Sequence, residues 1–157
     1  MNKVMKRRIY TDTSVIGGCL DREFSVSSTL LLERFARGSD VLVLSDLTRL
    51  ELERAAEAVR AVIGQLPKSA IEEVQLTLEA RELAEEYLIA KVIGPGSLVD
   101  AQHIATATIN RVDVLVSWNF KHIVNINRIH GYNSVNLRLG YPLLEIRSPK
   151  EVASDED

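Results

Sequence analysis

A chain of 157 residues, 46% apolar and 26% charged, has the length and composition of one soluble globular domain with its own hydrophobic core. The net charge of −3 excludes a wholly basic nucleic-acid-binding protein, and no segment approaches the roughly 18 consecutive apolar residues of a membrane span. The single cysteine, Cys19, excludes an internal disulfide, so we expect a cytoplasmic protein.

The first half of the chain alternates short apolar runs with amphipathic segments. The pattern predicts a strand at residues 4–10, a loop at 17–21, a helix at 25–37, a buried strand at 41–44 and a helix from Ser45 or Asp46 to Ile63. The serines near residue 25 can cap the start of the first helix, and Gly38 can end it.

The second half predicts a longer helix followed by mixed elements. We expect a long helix at residues 69–91, a break at Gly94-Pro95-Gly96, a helix at 97–110, a strand at 112–117, a short helix at 119–125, a loop at 131–136 and a last strand at 143–146. One domain is expected over residues 1–150, and residues 151–157 are expected to form a disordered acidic tail.

Strands that alternate with helices indicate an α/β fold with a mainly parallel central sheet. Such sheets bind ligands in the crevice at the carboxyl ends of their strands. Asp12 and Asn119 each follow a predicted strand, so both are expected on that rim.

Two aspartates lie at positions that suit either a metal-ligand role or a structural role in a turn or cap. Asp12 stands in Thr11-Asp12-Thr13-Ser14, and an aspartate directly after a strand is common in turns. Asp100 lies three residues after Ser97, a spacing similar to a capping box, and a carboxylate in the first helical turn suits the helix dipole. For each aspartate considered alone, the position in the sequence favours the structural role.

Glu51 is the acid whose position is least expected. On a helical wheel it falls on the apolar face of the predicted helix at 46–63, where an ionised carboxylate is costly unless it has a partner. Two interpretations stand. Glu51 is hydrogen-bonded or metal-bound in a crevice, or it lies at the edge of the stripe and reaches water or an arginine.

Asn119 and the histidines carry weaker signals. Asn119 suits a helix N-cap, and its carbonyl could also take a metal or hold a metal-bound water without adding charge. A lone cysteine and the absence of close histidine or cysteine pairs argue against zinc. His103 is therefore interpreted as a surface or core-edge histidine, while His122 could contact a phosphate.

Four segments together resemble the PIN-domain family, and within it the VapC-like toxins. They are residues 9–15 (Ile-Tyr-Thr-Asp-Thr-Ser-Val), 47–52 (Leu-Thr-Arg-Leu-Glu-Leu), 98–107 (Leu-Val-Asp-Ala-Gln-His-Ile-Ala-Thr-Ala) and 113–122 (Asp-Val-Leu-Val-Ser-Trp-Asn-Phe-Lys-His). Their order and spacing cover nearly the whole chain, and the last two segments are the most specific.

The resemblance implies a three-layer α/β/α domain that binds Mg²⁺ or Mn²⁺ and hydrolyses single-stranded RNA. By it, Asp12, Glu51 and Asp100 take the places of the acidic metal ligands. Asn119 takes the catalytic position at which the family commonly has a fourth acid. Clustered carboxylates repel one another, so their pKa values are expected to be raised in the metal-free protein.

The resemblance also implies supporting residues and partners. Thr13 and Ser14 would stand beside the metal, and Arg8, Lys121 and His122 are weak candidates for RNA contact. A toxin of this family would have an antitoxin protein and would form a homodimer. The leucine-rich helix at residues 25–37 is either a partner surface or ordinary core.

Two other readings remain open. One is a PIN-like module, weakened at Asn119, that binds RNA or a protein without cutting. The other is an unrelated α/β domain whose acids serve only as caps and turns.

Overall fold

Five parallel strands form the central sheet of the computed structural model, which describes residues 6–153. The strands are β1 (Arg7–Thr11), β2 (Asp40–Ser45), β3 (Ile71–Val74), β4 (Val114–Val116) and β5 (Ile146–Arg147). Their spatial order is β3-β2-β1-β4-β5, and each neighbouring pair is parallel. The predicted parallel α/β sheet is confirmed.

Helices cover both faces of the sheet. They are α1 (Thr13–Gly18), α2 (Ser25–Ala36), α3 (Asp46–Glu53), α4 (Glu57–Gly64), α5 (Leu78–Ile89), α6 (Leu98–Ile109), α7 (Ile126–Arg138) and α8 (Pro149–Val152). Short 3₁₀ turns at Lys68–Ala70 and Pro95–Ser97 lead into β3 and α6. Along residues 6–153, no helix is long and apolar enough to span a membrane.

Alternation along the strands divides the interior into two cores. Ile9 of β1 packs with Leu42 and Val114 against α1, α2, α3, α4 and α8. The next residue, Tyr10, packs on the other face against α5, α6 and α7. Side chains of successive strand residues point to opposite faces, so one strand serves both layers. This is the three-layer α/β/α arrangement.

Several predicted elements are confirmed with shifts of a residue or two: α2, β2, α6 and β4. The first strand runs from Arg7 to Thr11, while Val4 lies outside the described residues. In α2, Leu31, Leu32 and Phe35 are buried, which confirms ordinary core packing for that part of the helix.

Two segments of the first half differ from the prediction: the predicted loop at residues 17–21 and the predicted helix at residues 46–63. Gly17 and Gly18 end α1 instead of forming a loop. Glycine at position 18 is required by packing, because a Cβ there would lie 2.8 Å from Nε1 of Trp118. The helix predicted at 46–63 is two helices, α3 and α4, separated by residues 54–56.

The long helix predicted at residues 69–91 is wrong. Residues Ile71–Val74 form the edge strand β3, with Ile71 in register with Leu42 of β2, and α5 follows. The spacing of Ile71 and Val74 suits a helix as well as a strand, and the open edge of β2 decides between them. Thr77 marks the true helix start, since its side chain accepts a hydrogen bond from the Ala80 N–H.

The C-terminal predictions also need correction. Residues 119–125 form turns, and the helix α7 begins after them and runs through the predicted loop at 131–136. Asn125 caps α7 by accepting from the N–H groups of Asn127 and Arg128. Gly131 is no helix breaker, because a Cβ there would lie 2.6 Å from Val92 Cγ1. The glycine allows α7 to pack closely on the turn after α5.

The end of the chain is more ordered than the predicted tail. The last strand is Ile146–Arg147 instead of residues 143–146. Residues 149–152 form α8, and Val152 is buried against the core. Residues 154–157 lie outside the described part of the chain.

Candidate active site

The carboxyl edge of the sheet gathers four of the predicted site residues. Asp12 follows β1, Asn119 follows β4, and Glu51 lies in α3, which leaves the end of β2. Asp100 lies in the first turn of α6. Because β1 lies between β2 and β4, this is the place where a parallel sheet presents its crevice.

Asp12 is buried and held by two hydroxyl groups. Its Oδ1 accepts a hydrogen bond from Ser14 Oγ at 2.5 Å, and its Oδ2 accepts one from Ser117 Oγ at 2.6 Å. Although Asp12 occupies the N-cap position of α1, its side chain makes no capping hydrogen bond. Its carboxylate is therefore fixed across the crevice between β1 and β4, and the cap interpretation is wrong.

Glu51 is half-buried and has two partners on other elements. Its Oε1 accepts from Thr13 Oγ1 at 2.9 Å and from His103 Nε2 at 2.9 Å. Burial opposes ionisation of Glu51, but the hydrogen bond and charge of His103 and the Thr13 hydroxyl outweigh it, so the pKa of Glu51 is lowered. The hydrogen-bonded interpretation is confirmed, and the expected rise of this pKa is wrong.

His103 connects Glu51 to a buried polar chain. The histidine is 2% exposed, and its Nδ1 lies 2.6 Å from the hydroxyl of Tyr10, which lies 2.8 Å from Oγ of Ser45. A carboxylate only accepts hydrogen bonds, so Nε2 carries the proton that faces Glu51. Burial raises the pKa of Tyr10, which keeps its phenol protonated. This chain fixes the imidazole ring and through it one oxygen of Glu51.

Sequence reasoning placed His103 at the surface or core edge and did not find this role. Its partner Glu51 is 52 residues away in sequence, and no local pattern reports such a pair. One signal was present: His103 follows Asp100 by three residues, so both lie on one face of α6. Ser117 was likewise missed as a partner of Asp12.

Asp100 is the crevice acid to which no hydrogen bond is made within residues 6–153. Ser97 makes no side-chain capping bond at the start of α6, and no hydrogen bond from residues 6–153 reaches the Asp100 carboxyl. Burial raises the pKa of Asp100. The negative charges of Asp12 and Glu51 raise it further, against the opposing charges of His103 and His122. The expected rise of the Asp100 pKa is confirmed, but its main cause is burial, and repulsion from Asp12 and Glu51 contributes less.

Asn119 makes local backbone contacts. Its Oδ1 accepts from the N–H groups of Lys121 at 3.2 Å and His122 at 3.0 Å, which is the pattern of a cap. The helix N-cap predicted at Asn119 is wrong, because no helix starts there and Asn119 instead closes a turn through these two hydrogen bonds. The carbonyl oxygen that a metal would need already serves these two amides.

The basic candidates are divided between the two ends of the sheet. The charge of His122 lowers the pKa of Asp100, so His122 lies at the crevice, and Lys121 is the exposed residue before it in the same turn. The Nδ1 of His122 is buried and has no hydrogen-bond partner in the described part of the chain. Arg8 lies at the amino end of β1, where it pairs with Glu72 and donates to the Asn110 carbonyl. It is not brought to the site.

The oxygen donors of the crevice suit a hard divalent cation by chemistry. Asp12, Glu51 and Asp100 offer carboxylates, and a cation would relieve the repulsion felt at Asp100. In the structure, Glu51 is held by His103 and Thr13. Residues 6–153 contain no group of three or more histidine, cysteine or acidic side chains placed to hold a metal ion. The donor types fit a metal, while the described arrangement does not enclose one.

Comparisons with known proteins agree with this architecture. Two solved structures share the fold: VapBC2 from Rickettsia felis bound to a promoter DNA fragment, and VapC20 from Mycobacterium tuberculosis, described as a sarcin-ricin loop cleaving toxin. The first is 15% identical, with a TM-score of 0.57, over 90% of this chain and 98% of that chain. The second is 17% identical, with a TM-score of 0.55, over 72% of this chain and 91% of that chain.

A comparison with curated protein sequences finds no significant match. The sequence model of the PIN domain matches residues 9–120, which is well over half of the chain and includes all four crevice residues described above. The chain therefore belongs to the PIN-domain family.

Proposed function

We propose that this protein is a metal-dependent endoribonuclease that hydrolyses phosphodiester bonds of single-stranded RNA. The observation that carries the proposal is that Asp12, Glu51 and Asp100, from three separate elements, all lie at the carboxyl edge of the sheet. Burial raises the pKa of Asp100, and the charges of Asp12 and Glu51 add to that rise. Three carboxylates from three separate elements thus share one electrostatic environment at the carboxyl edge of the sheet. Membership of the PIN-domain family supports a nuclease built on that crevice.

Asp12, Glu51 and Asp100 would hold Mg²⁺ or Mn²⁺, and the bound cation would make a water molecule more acidic and neutralise charge on the phosphate. Ser14 and Ser117 fix both oxygens of Asp12. Thr13 and His103 fix one oxygen of Glu51. Asp100 has no described hydrogen-bond partner, so it is the carboxylate most available to orient the attacking water and to accept its proton.

The same proposal includes a biological setting. The similar folds belong to a toxin that cleaves the sarcin-ricin loop and to a VapBC complex, so we propose a toxin role with an antitoxin protein and a homodimer. The exposed apolar side chains on and beside α1 and α2 are candidates for these contacts: Leu20, Val26 and Leu30.

The test is a cleavage assay on an end-labelled single-stranded RNA. We expect cleavage with Mn²⁺ or Mg²⁺, none with chelator, and a loss of at least a hundredfold in Asp12→Asn. Glu57→Gln is the matched control, because it removes one exposed carboxylate from α4, outside the crevice. Cleavage that persists in Asp12→Asn would mean a different site or a contaminating nuclease and would contradict the proposal.

A second candidate function is a non-catalytic PIN-like module that binds RNA or a protein. It is favoured by Asn119, which brings no charge and whose carbonyl oxygen already serves the backbone of Lys121 and His122. RNA binding without cleavage in either metal would support this module over the nuclease.

A further inference from the structure

A cavity of about 380 Å³ opens beside the acidic crevice. The side of the cavity nearest the crevice is lined by Ser14 and Asn119, and its other walls include Gly18, Asp21, Phe24 and Trp118. The lining therefore combines flat aromatic rings with polar groups. None of its aromatic residues has a role in the proposed chemistry.

Two aromatic rings of the cavity wall, Phe24 and Trp118, and a third ring beside them, Phe120, form a continuous series. Phe24 and Trp118 are stacked, with ring centroids 4.3 Å apart and planes at 23°. Phe120 meets Trp118 edge-on at 6.1 Å and is 50% exposed. We name Phe24, Trp118 and Phe120 the aromatic cluster. A half-exposed phenylalanine beside a stacked pair leaves apolar ring surface open to a flat ligand.

The position of Trp118 is fixed by specific contacts. Its indole Nε1 donates to Ser28 Oγ at 2.8 Å, and glycine at position 18 is what lets the ring approach α1 so closely. Its backbone N–H donates to Ser14 Oγ at 3.0 Å, and that hydroxyl donates to Asp12. The aromatic cluster is thus connected to the first carboxylate of the site through a single serine.

We propose that the aromatic cluster binds an unpaired nucleobase of the RNA, next to the phosphate that lies at the acidic crevice. The inference rests on the proposed nuclease function and adds a substrate subsite to it. Base stacking on aromatic side chains is tolerant of sequence, because every base has a π-face. Asn119 and Asp21 add an amide and a carboxylate to the cavity wall that can hydrogen-bond to a base edge.

A nucleobase fits this place better than a protein side chain does. Ser14 lines the cavity and donates a hydrogen bond to Asp12, so an occupant of the cavity lies beside a residue that holds the first carboxylate. Its lining also offers side-chain donors and acceptors from Ser14, Asn119 and Asp21. The exposed apolar residues Leu20 and Val26 lie near the same helices, which makes a protein contact the outcome to be separated by experiment.

Trp118 is the only tryptophan of the chain, so its fluorescence reports directly on the aromatic cluster. The probe is a short single-stranded oligoribonucleotide titrated in chelator, where no hydrolysis occurs. The comparison ligand is the same sugar-phosphate chain with abasic positions. We expect the intact oligonucleotide to quench Trp118 and to bind on the order of tenfold more tightly than the abasic chain.

Protein variants give a second, independent measurement. Phe120→Ala should weaken binding of the intact oligonucleotide by about tenfold and leave binding of the abasic chain unchanged. Ile89→Ala is the matched control, since Ile89 is 70% exposed at the far end of α5 and should bind as the parent does. Equal binding of intact and abasic chains, or no effect of Phe120→Ala, would overturn the proposal.

The same variants separate this inference from its alternatives. If Phe120→Ala changes the sedimentation of the protein and leaves oligonucleotide binding intact, the aromatic cluster is a protein contact and the inference is wrong. Base-dependent binding without cleavage in Mn²⁺ would defeat the proposed nuclease and keep this subsite. Cleavage that is insensitive to Phe120→Ala would support the proposed nuclease and defeat this subsite.

Discussion

Two carboxylates of the same crevice should respond to neutralisation with opposite signs. The pKa of Asp100 is raised, so the ionised form destabilises the fold, and Asp100→Asn should increase the free energy of unfolding at neutral pH. The pKa of Glu51 is lowered, so its ionised form stabilises the fold, and Glu51→Gln should decrease that free energy. Electrostatic repulsion alone would make both substitutions stabilising.

The magnitudes follow from the contacts. One pKa unit corresponds to about 1.4 kcal/mol, and because Asp100 is partly solvated we expect a gain of about 0.5–1 kcal/mol, or ~1–4 °C in Tm. Hydrogen bonds to charged groups contribute about 1.5–3 kcal/mol. Glu51 is 36% exposed and glutamine keeps one acceptor oxygen, so we expect a loss of about 1–2 kcal/mol.

The assay is urea unfolding of metal-free protein in chelator at several pH values. The gain from Asp100→Asn should vanish as the pH falls below about 4, where the unfolded carboxyl is protonated too. The loss from Glu51→Gln should also shrink as the pH falls through the lowered pKa of Glu51. The control, Glu57→Gln, should stay within about 0.5 kcal/mol of the parent. Stabilisation by both crevice substitutions would refute the assignment of His103 as the partner of Glu51.

Three further substitutions test individual contacts. Tyr10→Phe removes the hydroxyl that contacts His103 Nδ1 in the interior and should lower the free energy of unfolding by about 1–2 kcal/mol in urea. Asn119→Asp adds the charge that this position lacks and should tighten Mn²⁺ binding by calorimetry, whereas unchanged affinity would show that position 119 is no ligand. Gly18→Ala places a Cβ 2.8 Å from Nε1 of Trp118 and should cost about 1–3 kcal/mol with a shift in tryptophan emission, and an unchanged spectrum would contradict that close packing.

The sequence predicted those parts of the fold whose pattern is decided locally. The buried strand β2 is a continuous apolar run, and α6 begins after a Gly-Pro-Gly break, so both were found within a residue or two. The edge strand β3 was missed because Ile71 and Val74 suit a helix equally, and only the unpaired edge of β2 selects the strand. Likewise, the loop predicted at residues 131–136 is part of α7, where close packing on Val92 requires the glycine at position 131.

The candidate site likewise contains residues that local sequence predicts and residues that it does not. Asp12 and Glu51 could be placed from sequence because strand ends and helix faces are local features. Their partners could not, since Ser117 lies 105 residues from Asp12 and His103 lies 52 residues from Glu51. The distant partner His103 is the reason that the pKa of Glu51 is lowered instead of raised as expected.

The three acids of the crevice differ in how well hydrogen bonds stabilise their charges. Two hydroxyl groups stabilise the Asp12 carboxylate by hydrogen bonding, and an imidazole and a hydroxyl do the same for Glu51. No described group hydrogen-bonds to the Asp100 carboxylate. Burial is the main reason that the pKa of Asp100 is raised, the charges of Asp12 and Glu51 add to the rise, and no described hydrogen bond offsets it. Because a cation gains most from the carboxylate that has no other partner, loss of Asp100 should weaken metal binding more than loss of a hydrogen-bonded acid. Asn119 adds no charge to the site, so the proposed metal binding should depend more strongly on Asp100.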